Sequence, residues 1–245
     1  MSFDAHAARA QFPILQREIN GHPLVYLDSA ASAQKPRTVI DALAERMAIS
    51  YANVHRGLHT LANETTEAYE NARKTVARHL NAESPSEIVF TKGGTEAINL
   101  VAASLGRSFA AGDEVIVSEM EHHSNIVPWH FLRERKGAVI KWAPIAEDGS
   151  FLLDEFEKLL TEKTRVVAVT HMSNVTGTVV PVKEICRIAR ERGILTVIDG
   201  SQAAVHMPVN VQDIGCDFYC ITGHKLDRKS TRLNSSHIPL SRMPS

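Results

Sequence analysis

Polar residues able to bind or react follow five short apolar segments of this sequence. The five polar groups are residues 92–96, 119–125, 171–177, 199–202 and 222–225. In the first group, two glycines let a ligand approach the backbone, and Thr95 is predicted to cap a helix whose start favours an anion. Asp199 ends an apolar run, where a carboxylate needs a cation or several hydrogen-bond donors. Lys225 supplies a primary amine, which in a buried site can act as a nucleophile and a base.

The adjacent histidines His122 and His123 have the residue type of a metal site but not its spacing. The sequence contains no H-E-x-x-H, and no third ligand stands at a zinc-like distance along the chain. His55 and His59 are four residues apart, but Gly57 interrupts them. The sequence therefore predicts no metal site, and a flat imidazole at the end of a strand favours stacking on an aromatic ligand ring instead.

Alternating strands and helices must position these groups. The predicted strands are Val25–Leu27, Glu87–Thr91, Glu114–Ser118, Val139–Ala143, Arg165–Thr170, Leu195–Asp199 and Asp217–Ile221. The predicted helices are Pro36–Ser50, Thr65–Leu80, Thr95–Leu105, Ile126–Arg135, Leu153–Leu160 and Val182–Arg192. Apolar, β-branched strands without clean alternation are typical of a parallel sheet buried on both faces. The sequence thus predicts an α/β fold, a mostly parallel sheet flanked by helices, with its ligand beyond the carboxyl ends of the strands.

Composition excludes several other classes. The chain has 245 residues, 44% of them hydrophobic, and a formal charge of −1, which is unsuited to non-specific nucleic-acid binding. No apolar run is long enough to span a membrane, and no signal peptide is recognisable. The three cysteines form no metal-like array, so a reducing, cytoplasmic location is expected.

One ligand fits five features of these polar groups together. It needs an anionic phosphate for the helix start, a flat ring for His122, a ring nitrogen for Asp199, a phenolic oxygen for Gln202 and an aldehyde for Lys225. Pyridoxal 5′-phosphate has each of these, and a carboxylate beside its pyridine nitrogen makes the ring an electron sink. Each group alone is as compatible with an ordinary turn or a solvated charge, so the prediction depends on their combination.

Several longer motifs then resemble one enzyme family. They are YLDSAASAQKP (26–36), VHRGLHTLA (54–62), TEAINLVA (95–102), EHHSNIVPW (121–129), HMSNVTGTVVPV (171–182), DGSQA (199–203) and DFYCITGHKL (217–226). Residues 1–226 resemble the first part of a SUF-type, or group II, cysteine desulfurase. These enzymes are class V aminotransferase-like proteins with the fold-type I architecture of pyridoxal-phosphate enzymes. The expected domain is therefore an incomplete cofactor-binding large domain over residues 1–226.

The resemblance implies roles for residues around the cofactor ring. Lys225 would hold the aldehyde as a Schiff base and later remove the substrate α-proton. His122 would stack on the ring and assist proton transfers. Asp199 would pair with the pyridine nitrogen, and Gln202 would hold the phenolic oxygen.

The resemblance also implies phosphate and substrate contacts. Thr95, Thr222 and His224 would bind the phosphate, together with the amide of Gly94, where the family often has a threonine. Asn174 would contact the substrate carboxylate and a cofactor oxygen. His55 and Arg56 would lie near the mouth of the active site.

The implied reaction converts L-cysteine to L-alanine and leaves the sulfur as an enzyme persulfide. The resemblance implies a homodimer, a sulfur acceptor of the SufE or SufU type and a role in iron–sulfur cluster assembly. The persulfide requires a mobile cysteine thiolate, and Cys186, Cys216 and Cys220 lie in or beside predicted buried elements. None of the three is expected to serve.

Residues 227–245 depart from the family pattern. They carry four Lys or Arg and one Asp, no glycine and no apolar periodicity. We expect a truncated chain whose tail is non-native or disordered, inactive alone and poorly soluble. The remaining alternatives are a selenocysteine lyase, which shares this motif set, and a non-catalytic remnant of the fold that binds the cofactor or nothing.

Overall fold

A parallel sheet flanked by helices forms the centre of the molecule. The computed structural model describes residues 4–226 and the backbone of residues 239–241. The strands are β1 (Glu18–Ile19), β2 (His22–Pro23), β3 (Glu114–Ser118), β4 (Val139–Ala143), β5 (Thr164–Thr170), β6 (Leu195–Asp199), β7 (Phe218–Cys220) and β8 (Pro239–Ser241). The helices are α1 (Ala5–Ala10), α2 (Arg37–Ile49), α3 (Thr60–Leu80), α4 (Gly94–Leu105), α5 (Val127–Lys136), α6 (Leu153–Leu159), α7 (Val182–Glu191), α8 (Ala203–His206) and α9 (Val211–Ile214).

The sheet has the order β4-β3-β5-β6-β7-β8. The first five strands are parallel, and β8 pairs antiparallel with β7. The chain runs from β3 outward to β4 and then crosses back to β5 on the other side of β3. This reversal creates a crevice beyond the carboxyl ends of the strands, where open α/β sheets bind ligands.

Both faces of the sheet are covered, as the uninterrupted apolar strands predict. On one face Ile116, Val167 and Ile198 pack with apolar residues of α3, α6, α7 and α9. On the other face Val115 and Val166, together with their strand neighbours, pack with apolar residues of α4 and α5. Both cores are fully buried, which holds the strand ends in fixed relative positions. The predicted α/β fold is confirmed.

Two predicted strands are wrong. Residues 25–27 and 87–91 form no strand; the second range instead includes the end of a 3-10 helix over Pro85–Glu87. An extended segment becomes a strand only when a neighbour supplies hydrogen bonds. Within residues 4–226, neither segment lies beside a strand that pairs with it. Ile88 forms an isolated β-bridge, and Ile88 and Phe90 pack against the core.

The predicted helices are present, with ends displaced by at most one residue except at the start of α3. That helix begins at Thr60 rather than Thr65, because the His59 side chain accepts a hydrogen bond from the Ala62 amide and caps it. The predicted cap at Thr95 is also wrong. Gly93 occupies the cap position of α4 and Gly94 begins the helix, so Thr95 lies within the first turn.

The predicted boundary at residue 226 stays a prediction, because most of residues 227–245 lie outside the described part of the chain. Of residues 227–245, only the backbone of 239–241 is described, as strand β8. In the described residues, no helix is both long and apolar enough to cross a membrane.

Candidate active site

A cavity of about 670 Å³ opens where β3, β5, β6 and β7 end. Nine of the eleven residues predicted for the site line it, from segments far apart in the sequence. They are Gly94, Thr95, His122, Asn174, Asp199, Gln202, Thr222, His224 and Lys225. Most of these residues follow the carboxyl ends of β3, β5, β6 and β7, which parallel strands bring to one edge of the sheet. Gly94 and Thr95 instead begin α4, which follows a segment that forms no strand.

Lys225 lies on a short 3-10 helix, Gly223–Lys225, that follows β7. Its amide donates a hydrogen bond to the Thr222 carbonyl at 3.1 Å, which fixes the turn. The side chain is half-buried and lies on the cavity wall. A primary amine in this position can reach a carbonyl group of a bound ligand.

The N-terminal segment covers one side of the cavity, a contact that sequence reasoning missed. The Ala33 amide and the Lys35 ammonium both donate to the His224 carbonyl, at 3.1 and 2.9 Å. The Gln202 side-chain amide donates to the Ala30 carbonyl at 2.9 Å. The motif at residues 26–36 thus has a structural reason, since it ties the segment to the turn that holds Lys225.

Asp199 presents a buried carboxylate to the cavity. It is the last residue of β6 and is only 5% exposed. One carboxylate oxygen accepts a hydrogen bond from the Ser201 amide at 3.0 Å. Among the described residues, no donor satisfies the other oxygen. A buried, half-satisfied carboxylate of this kind suits an N–H group of a ligand.

The start of α4 and two hydroxyls form a cradle for an anion. The amides of Gly94 and Thr95 fall in the first helical turn, where the helix provides no carbonyl for them. The hydroxyls of Ser201 and Thr222 lie 2.8 Å apart beside this turn. A Cβ atom built on Gly94 would lie 2.5 Å from the Thr222 hydroxyl, so a larger residue would enter the cradle. Ser201 was not predicted, because a serine after a strand has no distinctive sequence signal.

His122 offers its ring to the cavity with one nitrogen engaged. Its Nδ1 lies 2.8 Å from the Ser124 hydroxyl and accepts a hydrogen bond from the Ser124 amide at 3.2 Å. Because Nδ1 accepts from an N–H group, the neutral ring carries its proton on Nε2. The ring is exposed in the cavity and available for stacking.

A buried glutamate lies directly behind His122 and was also missed by sequence reasoning. The carboxylate of Glu121 accepts hydrogen bonds from the Ser118 hydroxyl, from the Asn125 side chain at 2.7 Å and from the Thr170 amide at 2.8 Å. Burial raises its pKa to about 7 despite these donors, and the nearby Asp199 adds to the rise. The residue links β3, β5 and the 3-10 helix His123–Asn125.

The three residues predicted to contact substrate lie at the mouth of the cavity or away from it. Asn174 is exposed at the mouth, in the loop after β5. His55 lies outside the cavity lining, 3.1 Å from the Glu70 carboxylate and edge-on to Tyr69. Arg56 is exposed beside it and does not line the cavity either. The predicted substrate contacts of these three residues stay predictions.

The cysteines are inaccessible. Cys186, Cys216 and Cys220 are all buried and unpaired. Burial raises the pKa of the Cys186 thiol to about 12 and the pKa values of the other two thiols further above their ordinary range. Thiols in this state are poor nucleophiles, since the thiolate is the reactive form. Among residues 4–226, no group of three His, Cys, Asp or Glu side chains could hold a metal ion.

Comparisons with known proteins agree with this geometry. A family model described as aminotransferase class-V matches residues 25–227. The chain is 52% identical over 227 residues to a cysteine desulfurase from Salmonella newport, across 92% of this chain and 56% of that protein. It is similar to the crystal structure of the cysteine desulfurase CsdA from Escherichia coli, with a TM-score of 0.85 and 37% identity over 99% of this chain and 59% of that one.

A further solved structure, SspA in complex with cysteine, has a TM-score of 0.77 and 27% identity over 88% of this chain and 60% of that one. The chain thus spans a little over half the length of the relatives that it matches.

Proposed function

The chain belongs to the aminotransferase class-V family, a family of pyridoxal-phosphate enzymes, and on that premise we propose that it forms the cofactor site of a cysteine desulfurase. The observation that carries this proposal is the meeting of Lys225, Asp199, His122 and the anion cradle around one cavity. The relatives at about 50% identity are named cysteine desulfurases, which favours L-cysteine as the substrate. The proposed reaction yields L-alanine and an enzyme-bound persulfide.

The residues present fit pyridoxal 5′-phosphate. The unsatisfied Asp199 oxygen suits a protonated ring nitrogen, and the cradle at Gly94 suits a phosphate. Gln202 keeps one side-chain N–H for a phenolic oxygen, because its amide nitrogen has two hydrogens and Ala30 takes one. Lys225 supplies the amine for the aldehyde. When bound, the cofactor supplies an aldehyde that captures amino groups and a ring that withdraws electrons from the substrate α-carbon.

The chain's own residues then perform the proton transfers. The Lys225 amine, which lies on the cavity wall, would accept the α-proton of the bound amino acid. His122 would exchange protons through Nε2, because Ser124 engages the other ring nitrogen, Nδ1. The Asp199 carboxylate would face the ring nitrogen and favour its protonated form.

Sulfur removal requires a thiolate that the described cysteines do not supply. A thiolate must attack the substrate sulfur, so that the carbon–sulfur bond breaks as a sulfur–sulfur bond forms and the carbon takes a proton. All three cysteines of the chain are buried with raised pKa values. We therefore expect the 245-residue chain to bind cofactor without releasing alanine from cysteine.

The finer assignments belong to the same proposal. The motifs VHRGLHTLA and EHHSNIVPW favour the SUF type, with a SufE- or SufU-like sulfur acceptor, a homodimer and a cytoplasmic role in iron–sulfur cluster assembly. The roles proposed for Asn174, His55, Arg56, Thr95 and His224 follow from the same resemblance.

Covalent trapping tests the proposal. The chain is mixed with pyridoxal 5′-phosphate, reduced with borohydride, digested and analysed by mass spectrometry. We expect one pyridoxyl-phosphate group, on Lys225, and its loss in Lys225→Ala. Lys92→Ala is the matched control, since Lys92 also lines the cavity but is not proposed to react. Labelling spread over surface lysines, or no labelling, would contradict the proposal.

A further inference from the structure

We propose that the Ser201 hydroxyl is an additional ligand for the cofactor phosphate, and that glycine at position 94 makes room for it. This inference rests on the proposed function, since it concerns the anionic end of the same cavity. Neither the motif reasoning nor the resemblance assigned Ser201 a role.

The Ser201 hydroxyl lies on the cavity wall beside the Thr222 hydroxyl. Ser201 Oγ lies 2.8 Å from the Thr222 Oγ1, and both residues line the cavity beside the first turn of α4. Thr222 is only 7% exposed, so this hydroxyl pair is part of the cavity wall rather than a surface feature. Each hydroxyl carries one hydrogen, and their mutual hydrogen bond uses one of them. The second hydrogen remains for an anion.

The absence of a side chain at Gly94 leaves space for this pair of hydroxyls. The residue is helical and buried and does not need the left-handed conformation that would require glycine. The backbone conformation therefore leaves position 94 open to other residues, and the space around it is what favours glycine. A Cβ atom at this position would lie 2.5 Å from the Thr222 hydroxyl and 3.4 Å from the Ser201 hydroxyl. Gly94 therefore leaves the space in which the two hydroxyls meet the helix start.

The backbone of Ser201 is held in place by Asp199. Its amide donates to the Asp199 carboxylate at 3.0 Å, so its backbone is fixed by the residue proposed to face the ring nitrogen. The Ser201 amide thus holds the carboxylate that would face the ring nitrogen, and the Ser201 hydroxyl would contact the phosphate at the opposite end of the ligand. A change of the hydroxyl alone leaves the amide in place, which makes the two contributions separable.

The test compares ligands with and without the phosphate. Pyridoxal 5′-phosphate and pyridoxal are titrated by calorimetry into the wild-type chain, Ser201→Ala and Ser201→Thr. A hydrogen bond to a charged group is worth about tenfold in affinity, so Ser201→Ala should weaken pyridoxal 5′-phosphate binding about tenfold. Pyridoxal binding should not change, and Ser201→Thr should retain the wild-type affinity for both ligands.

Two further variants keep the result interpretable. Gly94→Ala displaces the Thr222 hydroxyl and should also weaken only the phosphorylated ligand. Ser108→Ala is the matched control, because that exposed hydroxyl bonds only to the Leu105 carbonyl. Equal losses for both ligands in Ser201→Ala, or no loss, would overturn the inference while the cofactor assignment stands. Failure of the wild-type chain to bind either ligand would overturn both.

Discussion

The buried carboxylate of Glu121 offers a direct test of the electrostatics behind the site. Its pKa rises from the ordinary 4.5 to about 7, because burial outweighs three hydrogen-bond donors. Between these values the native state holds a proton that the unfolded chain has lost. The free energy of unfolding should therefore fall as pH rises from about 5 to 8. At about 1.4 kcal/mol per tenfold change, this group contributes a fall of ~3 kcal/mol.

Glu121→Gln removes the titrating carboxyl group while keeping the shape of the side chain. The substitution has a constant cost, because the new amide must face either the Thr170 amide or the Asn125 side chain, both of which donate. An unsatisfied buried donor costs about 1–3 kcal/mol at every pH. The variant should thus be less stable than wild type at pH 5. The gap should shrink by ~3 kcal/mol by pH 8, closing or changing sign.

Urea unfolding measured at several pH values between 5 and 8 checks this. Tryptophan fluorescence is a suitable probe, since Trp129 donates to the Asn125 side chain that contacts Glu121. Equal m-values would indicate that the unfolded states are comparable. The exposed Glu134→Gln on α5 serves as a matched control and should follow wild type at every pH. Parallel curves for Glu121→Gln and wild type, or a gap that widens with pH, would refute the reasoning.

Two further predictions concern packing and accessibility. Gly200→Ala should destabilise the chain by about 1–3 kcal/mol in urea unfolding, because its Cβ would lie 2.1 Å from the rigid Tyr219 ring. Gly106→Ala, which meets the flexible tip of Leu132, should cost less, and equal costs would contradict this contrast. A thiol reagent should modify none of the three cysteines in the native chain and all three in urea, as intact mass will record. Rapid labelling of Cys220 in the native chain would contradict its burial.

The location of the site was predictable from sequence because it depends on topology. Asp199 and Lys225 each follow an apolar strand, and carboxyl ends of parallel strands must meet at one edge of a sheet. Knowing that the strands are parallel was therefore enough to place both residues in one cavity. His55 lacks such a constraint. It lies in an irregular segment before α3, with a backbone φ of 62°, and the structure places it beside Glu70.

The strand predictions were wrong where hydrogen-bond pairing with a neighbour, rather than residue type, decides whether a strand forms. Residues 87–91 have the same apolar character as β3, yet only β3 has neighbours on both sides, β4 and β5. Side-chain character favours an extended backbone, but a strand requires that its amides and carbonyls find a partner. That partner is a property of the whole fold, so a local pattern does not reveal whether it is present.

The missed residues of the site share a different physical origin. Glu121 and Ser201 act through contacts with residues distant in sequence, Thr170 and Thr222, on neighbouring strand ends. A glutamate or serine in a turn is ordinarily solvated, and its residue type alone favours that reading. Only register identifies the exceptions, since the pairing of Thr170 with Asp199 and of Asp199 with Cys220 sets which turn faces which. The position of the cavity therefore follows from topology, while the contacts of Glu121 and Ser201 follow from register.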